Sequence, residues 1–401
     1  SSRWKARLAS PTAAQAEPQW LVERRRKGAS LAQELSLPDP KAKGWEFTDL
    51  SKLDLDAYEP APGLAAGLED GGPGPEVAIA LGDAVAATPD LVKDRLGSVV
   101  PAAGDPFVAR NDAGWRQGAL VHVPAGEALA EPVRLAVEPG AEGTRLDWRT
   151  LIVVEEGAEA EVWEEYGSGG GAGLFNGVTE IVLADGANLR YVCKQQLPEE
   201  SWVFATQRAE IGRDASLEWL ALGFGSARGK VRMETKLAGR GSSAKVTGAY
   251  AGRARQHLDF DTTQEHAAPN TTSDLAFRGV LTDRATAVWR GMIRVDPGAQ
   301  QTDAFQESRN LLLSHRAHAD AIPGLEIEAN DVRCTHAAAV AQVDPEQLHY
   351  LRAHGLGEPA AKRLVVDGFL QALVERTAEG AAREALSEAL ERRLAAILGA
   401  A

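Results

Sequence analysis

Between about residues 118 and 343 the chain is a succession of short apolar and polar alternations cut by Gly or Asp turns, the two-residue period of strands with one buried face. The alternations also repeat. The segments ‘EGAEAEV’, ‘DGANLRY’, ‘RDASLEW’, ‘RGSSAKV’ and ‘DRATAVW’ share one grammar: a turn, a small residue, then polar and apolar positions up to a large apolar side chain. The small residues are Ala158, Ala187, Ala215, Ser242 and Ala285, spaced by 29, 28, 27 and 43, near multiples of about 14. Such a rung predicts strands stacked into a solenoid, each turn burying its inward residues against its neighbours. A β-sandwich would also show short strands at regular spacing and is the competing architecture.

Helical periodicity flanks this core. The segment 10–58 reads as helix through ‘AEPQWLVERRRKGASLAQEL’, with Trp20, Leu21, Leu31 and Leu35 giving it a buried side, and breaks at Pro38 and Pro40. The Pro- and Gly-rich ‘EPAPGLAAGLEDGGPGPE’ then reads as a linker with a boundary near residue 75. After Val343, Asp344 is an N-cap with Pro345 at the first helical position and Gly355 as the stop. A second helix places Leu364, Val365, Gly368, Phe369, Ala372 and Leu373 on one stripe, and a third does the same with Leu386, Leu390, Leu394, Ile397 and Leu398. The expected organisation is an N-terminal helical domain and linker over 1–75, a β core over 76–343 and a C-terminal helical domain over 344–401.

Charge and composition narrow the function. A net charge of −14 opposes phosphate backbones and anionic lipid, so neither nucleic acid nor a membrane surface is the expected main partner. Against that balance, Arg24-Arg25-Arg26-Lys27 reads as a solvated helix face. No apolar run reaches a membrane-spanning length, and two cysteines cannot build a disulfide framework, so the expected location is the cytoplasm. The Asn270-Thr271-Thr272 sequon is then without consequence.

Nucleotide motifs fail on inspection. In ‘GFGSARGKV’, Gly225 and Gly229 enclose three residues rather than four and Val231 stands where a hydroxyl would hold magnesium, while ‘GSGGGAG’ lacks a lysine. The chain is therefore read as binding no nucleotide itself. No G-x-S-x-G nucleophile turn is present. His257, Asp259 and Asp261, with Glu265 and His266 nearby, could form a hard-metal group on one strand face, although solvated strand residues explain them as well.

In ‘GLEIEANDVRCTHAAAVAQVD’, ‘LEIEA’ alternates as a strand; if the strand continues, Cys334 and His336 point the same way. One thiolate and one imidazole suit iron, zinc or iron–sulfur clusters, but such centres usually need four ligands. The others would come from His315 and His318, from Cys193, or from another subunit.

The segments ‘HAAPNTTSDLAFRGVLTDRATAVWRGMIRV’, ‘TDAFQESRNLLLS’, ‘PGLEIEANDVRCTHAAAVAQVDPEQLHYLRAHGL’ and ‘RLVVDGFLQALV’ resemble the SufB/SufD family of the SUF iron–sulfur assembly system. Within it the chain looks more like the SufD branch, having few cysteines and Ala337 after His336 where SufB-like chains tend to carry Glu. Ala337 and Ala339 also depart from the Gly and hydroxyl residue often seen in SufD-like chains. The resemblance implies a mainly β fold, a right-handed parallel β-helix core flanked by N-terminal and C-terminal α-helical domains. It implies a non-catalytic scaffold subunit that pairs with SufB, binds the ATPase SufC through the C-terminal helices, and shares a transient iron or iron–sulfur cluster at the SufB interface. His336 and Cys334 are then the candidate cluster or metal ligands, and Tyr350, Leu364 and Phe369 the candidate partner-binding residues. Two other functions compete: an independent carbohydrate-active β-helix enzyme, and a homodimeric cluster carrier that needs no SufB.

Overall fold

The computed structural model of the chain describes residues 4–7, 17–61, 66–69, 76–167 and 169–398. From Gln117 onward the chain lays strands alternately into two sheets, and each strand pairs with the one laid two strands earlier, parallel and in register. The result is a parallel β-solenoid of about eight turns rather than a sandwich. Among the described residues each sheet has ten strands; one ends at His318–Ile327 and the other at Val332–Gln342.

The repeat has a simple geometric cause. Ala158, Ala187, Ala215 and Ser242 are fully buried immediately ahead of successive strands of one sheet, so they recur once per rung. Each follows a residue of positive φ, Gly157, Gly186, Asp214 and Gly241, which turns the corner in the left-handed region. Ala285 is also buried, but it precedes Thr286–Val295 in the other sheet. The interval of 43 is therefore one and a half rungs, which explains the half-rung unit of about 14 in the sequence.

The interior is built from large side chains, with Trp148, Trp219, Trp289, Tyr191, Tyr250 and Phe277 essentially inaccessible. Several polar groups inside are paired, as a low-dielectric core favours, whereas Trp219 Nε1 and Trp289 Nε1 meet no partner among the described residues. Glu164 accepts from Trp148 Nε1 at 2.7 Å, from Tyr191 at 2.5 Å and from the Thr150 hydroxyl. The next turns lodge His266, whose Nδ1 lies 2.7 Å from Thr271 Oγ1 and whose Nε2 lies 2.8 Å from Ser273 Oγ. Because the Thr271 hydroxyl donates to Ala268 O, Nδ1 carries the proton and Nε2 accepts.

Burial pushes the His266 imidazole down to about 4. A folded-state value below the unfolded one of about 6.5 means that this histidine stabilises the fold above pH 6.5 and that the gain is lost as pH falls towards 4. Urea unfolding at pH 7.0 and 4.5 is expected to show the loss, and His266→Gln should narrow the difference by ~2 kcal/mol. An unchanged difference would contradict the assignment.

The flanking segments cover the outer faces. Helix Gln19–Glu34 buries Leu21, Gly28 and Ala32. The basic run is solvated only in its second half, at Arg26 and Lys27. Arg25 is buried over the Trp115 ring, donating to Trp115 O and Glu17, and Arg24 pairs with Asp112 at 2.7 Å. Burial of the Arg25 guanidinium and partial burial of Arg24 are tolerated because each meets carboxylate or carbonyl oxygens. Part of the Pro- and Gly-rich stretch read as a linker, at 62–65 and 70–75, lies outside the described residues; within it Ala66–Glu69 pairs antiparallel with Val133–Val137.

At the other end Asp344 caps helix Pro345–Ala353 by accepting from Glu346 N, and Gly355 takes φ +94° beyond it. Helix Ala381–Leu398 buries Leu386, Leu390 and Leu394 on the solenoid, so its stripe is consumed within the chain. Helix Glu358–Val374 departs from the expected stripe. It buries Ala361, Val366, Leu370, Leu373 and Val374, while Leu364, Gly368 and Ala372 face outward. The helix is apolar on both sides, and periodicity alone could not say which side meets the sheet. Among the described residues no helix is long and apolar enough to cross a membrane.

Candidate functional site

In each sheet the final strand continues the inward-facing columns of the rung below it. Ala304 is opposite Cys334, Gln306 opposite His336 and Asn310 opposite Val340; in the other sheet Ile293 is opposite Leu325 and Val295 opposite Ile327. The lower member of each pair is buried, but the upper member has no further rung above it. Leu325, Ile327 and Val340 are thus about 40% exposed although they occupy core positions, and His336 is exposed among them. The two end strands also stand at sheet edges, where backbone groups await a partner strand.

Cys334 and His336 do share a strand face, but ‘LEIEA’ and ‘VRCTH’ belong to different strands. The first closes His318–Ile327, residues 328–331 turn the corner, and Val332 opens the final strand. Cys334 is half-buried against the cluster of Ile293, Val295, Ala299, Ala304 and Ala329. Burial raises its thiol above the usual range, and the Asp303 carboxylate adds to the shift. A nearby cation would be needed to hold the thiolate at neutral pH.

The other candidate ligands are elsewhere. Cys193 lies in the interior five rungs below the end, at roughly 24 Å by strand spacing. Its thiol is pushed up to about 12 by burial and then by the Glu164 charge, and it accepts from Gln207 at 3.2 Å. His315 lies exposed on the preceding turn, and His318 pairs with Asp320 at 3.1 Å. Among the described residues no three His, Cys, Asp or Glu side chains gather as a metal site. Among the described residues the group around His257 does not gather as a metal site, and it is largely covered rather than solvated. His257, Asp259 and Asp261 share the outer face, where Thr48 of the N-terminal segment covers His257 and Asp259 and Lys230 neutralises both carboxylates. Glu265 pairs with Arg208, and His266 points inward.

On the C-terminal helices Tyr350 is 63% exposed and Leu364 52% exposed. Phe369 instead lies half-buried towards the solenoid, with the Arg278 guanidinium 5.5 Å from its ring. Leu325, Ile327 and Val340 escape a reading from sequence alone, because their alternation is that of any inner strand; the one signal is that no rung follows residue 343.

A family model described as the SUF system FeS cluster assembly SufBD core domain matches residues 139–369. An iron–sulfur cluster assembly SufBD family protein of Mycobacterium tuberculosis strain H37Rv is 30% identical, over 89% of each chain. The chain belongs to the SufBD family. The iron–sulfur cluster assembly protein SufD of Bacillus subtilis is 31% identical over 69% of this chain and 64% of its own. A SufBD family protein of Staphylococcus haemolyticus is 28% identical over 70% of this chain and 61% of its own. The SufBD core match runs through the open end and into helix Glu358–Val374, so Cys334, His336, Tyr350, Leu364 and Phe369 all lie within it.

Proposed function

We propose that this SufBD chain is a SufD-type, non-catalytic scaffold subunit of a cytoplasmic complex that assembles iron–sulfur clusters. A SufB-type chain docks on the open end of the solenoid, and the cluster, as cargo, forms transiently between the two. His336 and Cys334 supply ligands from this side and the partner supplies the rest. The observation that carries the reading is the unfinished last rung, in which apolar core positions, an imidazole, a half-buried thiol and two sheet edges face outward together. A docking subunit would cover the apolar positions, pair the edges and complete the coordination in one step. The outward row Leu364, Gly368 and Ala372, with Tyr350 on the neighbouring helix, is the proposed seat of a SufC-type ATPase, and Phe369 anchors that helix to the solenoid.

Affinity isolation of the full chain from its host under anaerobic conditions tests this. A longer homologous chain and an ATPase are expected with it, and Leu364→Asp is expected to lose the ATPase while keeping the homologue. Recovery of a lone homodimer would contradict the reading.

A further inference from the structure

Charges on the outer faces of the solenoid follow a rule. An arginine on one strand meets a carboxylate on its neighbour: Arg190 lies between Glu161 and Glu218, Arg208 faces Glu234 on the next strand and reaches Glu265 on the strand beyond it, and Arg333 pairs with Asp303. Opposite charges side by side on adjacent strands stabilise a sheet, and like charges oppose it. One corner breaks the rule. His257, Thr286 and His318 occupy a single register row in the sheet that ends at His318–Ile327. Two residues ahead of that row stand Arg255, Arg284 and Arg316, one per rung, all exposed, with Arg228 opening the strand below. Among the described residues no hydrogen bond or ion pair engages any of these four guanidiniums. In a chain of net charge −14, four neighbouring guanidiniums without a direct ion pair are an exception.

The column borders two adjoining clefts. One, of about 500 Å³, is lined by Arg255, Arg284 and Arg316 with Glu199, Glu200 and Asp283; the other, of about 350 Å³, is lined by Arg228, Arg255, Arg284, His257, Asp49 and Phe47. One of the lining carboxylates is neutralised by ion pairs of its own. Glu199 is held by Arg253 and Arg393, Asp283 accepts from Ala254 N, and Asp49 accepts from Ser51. Asp283, Asp49 and Glu200 form no ion pair among the described residues, and the four arginines outnumber them. Strands one rung apart lie about 4.8 Å from each other, so the backbone positions of Arg255, Arg284 and Arg316 fall within about 10 Å. That spacing fits a compact anion with several charged oxygens, and forked guanidiniums match the oxygens of phosphate and carboxylate alike.

We infer that this arginine column binds a compact multivalent anion, a polyphosphate or a polycarboxylate, on the side of the solenoid next to its open end. The clefts are of small-ligand size, which favours such an anion over an acidic protein segment. Calorimetric titration of the full chain at low and physiological salt, with pyrophosphate, citrate and an octaglutamate peptide as probes, tests this. One site per chain is expected for pyrophosphate, citrate or both; binding of one alone assigns the phosphate or the carboxylate class. Arg255→Ala and Arg284→Ala should each weaken binding about tenfold or more, while the ion-paired control Arg333→Ala leaves it unchanged. These positions are on the surface, so thermal melting of the variants should match the parent. Failure of both compact anions at millimolar concentration would overturn the proposal. Unaltered binding in the Arg255 and Arg284 variants, or preference for octaglutamate, would do the same.

Discussion

His336→Ala is expected to cut cluster formation on the assembled complex by about a hundredfold or more while leaving the melting temperature of the chain unchanged. Both halves of the expectation come from position. The imidazole stands above Gln306 on the end strand, is exposed, and forms no hydrogen bond or ion pair among the described residues, so truncation leaves no cavity in the core. Its loss removes a ligand from a site where this subunit offers two at most. Cys334→Ser is expected to act more weakly on the fold than a core substitution, since its side chain is half-buried at the edge of a small cluster. Anaerobic reconstitution followed by absorption spectroscopy reads the yield, and a normal yield from the His336 variant would remove it from the ligand set.

Leu325→Asp combined with Val340→Asp is expected to abolish pairing with the SufB-type chain, weakening it by at least a hundredfold. Each residue occupies a core column with its outer side uncovered, so docking would complete its burial; a full burial of Leu or Val is worth about 1.5–3 kcal/mol, and about half of that remains to be gained here. A greater penalty comes from placing two carboxylates, one from each sheet, inside a rung that docking would close. In the free chain both remain in water, and the fold is expected to persist. Light scattering of the mixed chains gives the mass of the complex, and an undiminished heterodimer would contradict the account.

Much of this architecture can be read from residues alone, because a solenoid writes its period into the chain. The buried Ala158, Ala187, Ala215 and Ser242 mark the same corner of successive rungs, and the odd spacing to Ala285 already contains the second sheet. What sequence does not disclose is which of two chemically similar faces turns inward. Helix Glu358–Val374 has apolar residues around its circumference, and contact with the sheet selected Val366, Leu370 and Leu373 over Leu364 and Ala372. Arg24 and Arg25 read as solvated, like Arg26 and Lys27 beside them, because nothing in the sequence announces Asp112 or Trp115, some ninety residues away. Cys334 and His336 are legible as a strand pair. Their standing on the last rung, with Leu325, Ile327 and Val340 bared around them, is a property of where the stack stops.

Hydrogen exchange on the chain, alone and mixed with its SufB-type partner, tests the central claim most directly. Every second amide of 318–327 and 332–342 faces away from the neighbouring strand in the free chain, and these amides are expected to gain strong protection on mixing, with the double aspartate variant showing none. Protection confined to other surfaces, with these two strands exchanging as before, would mean that the open end is not where the subunits meet.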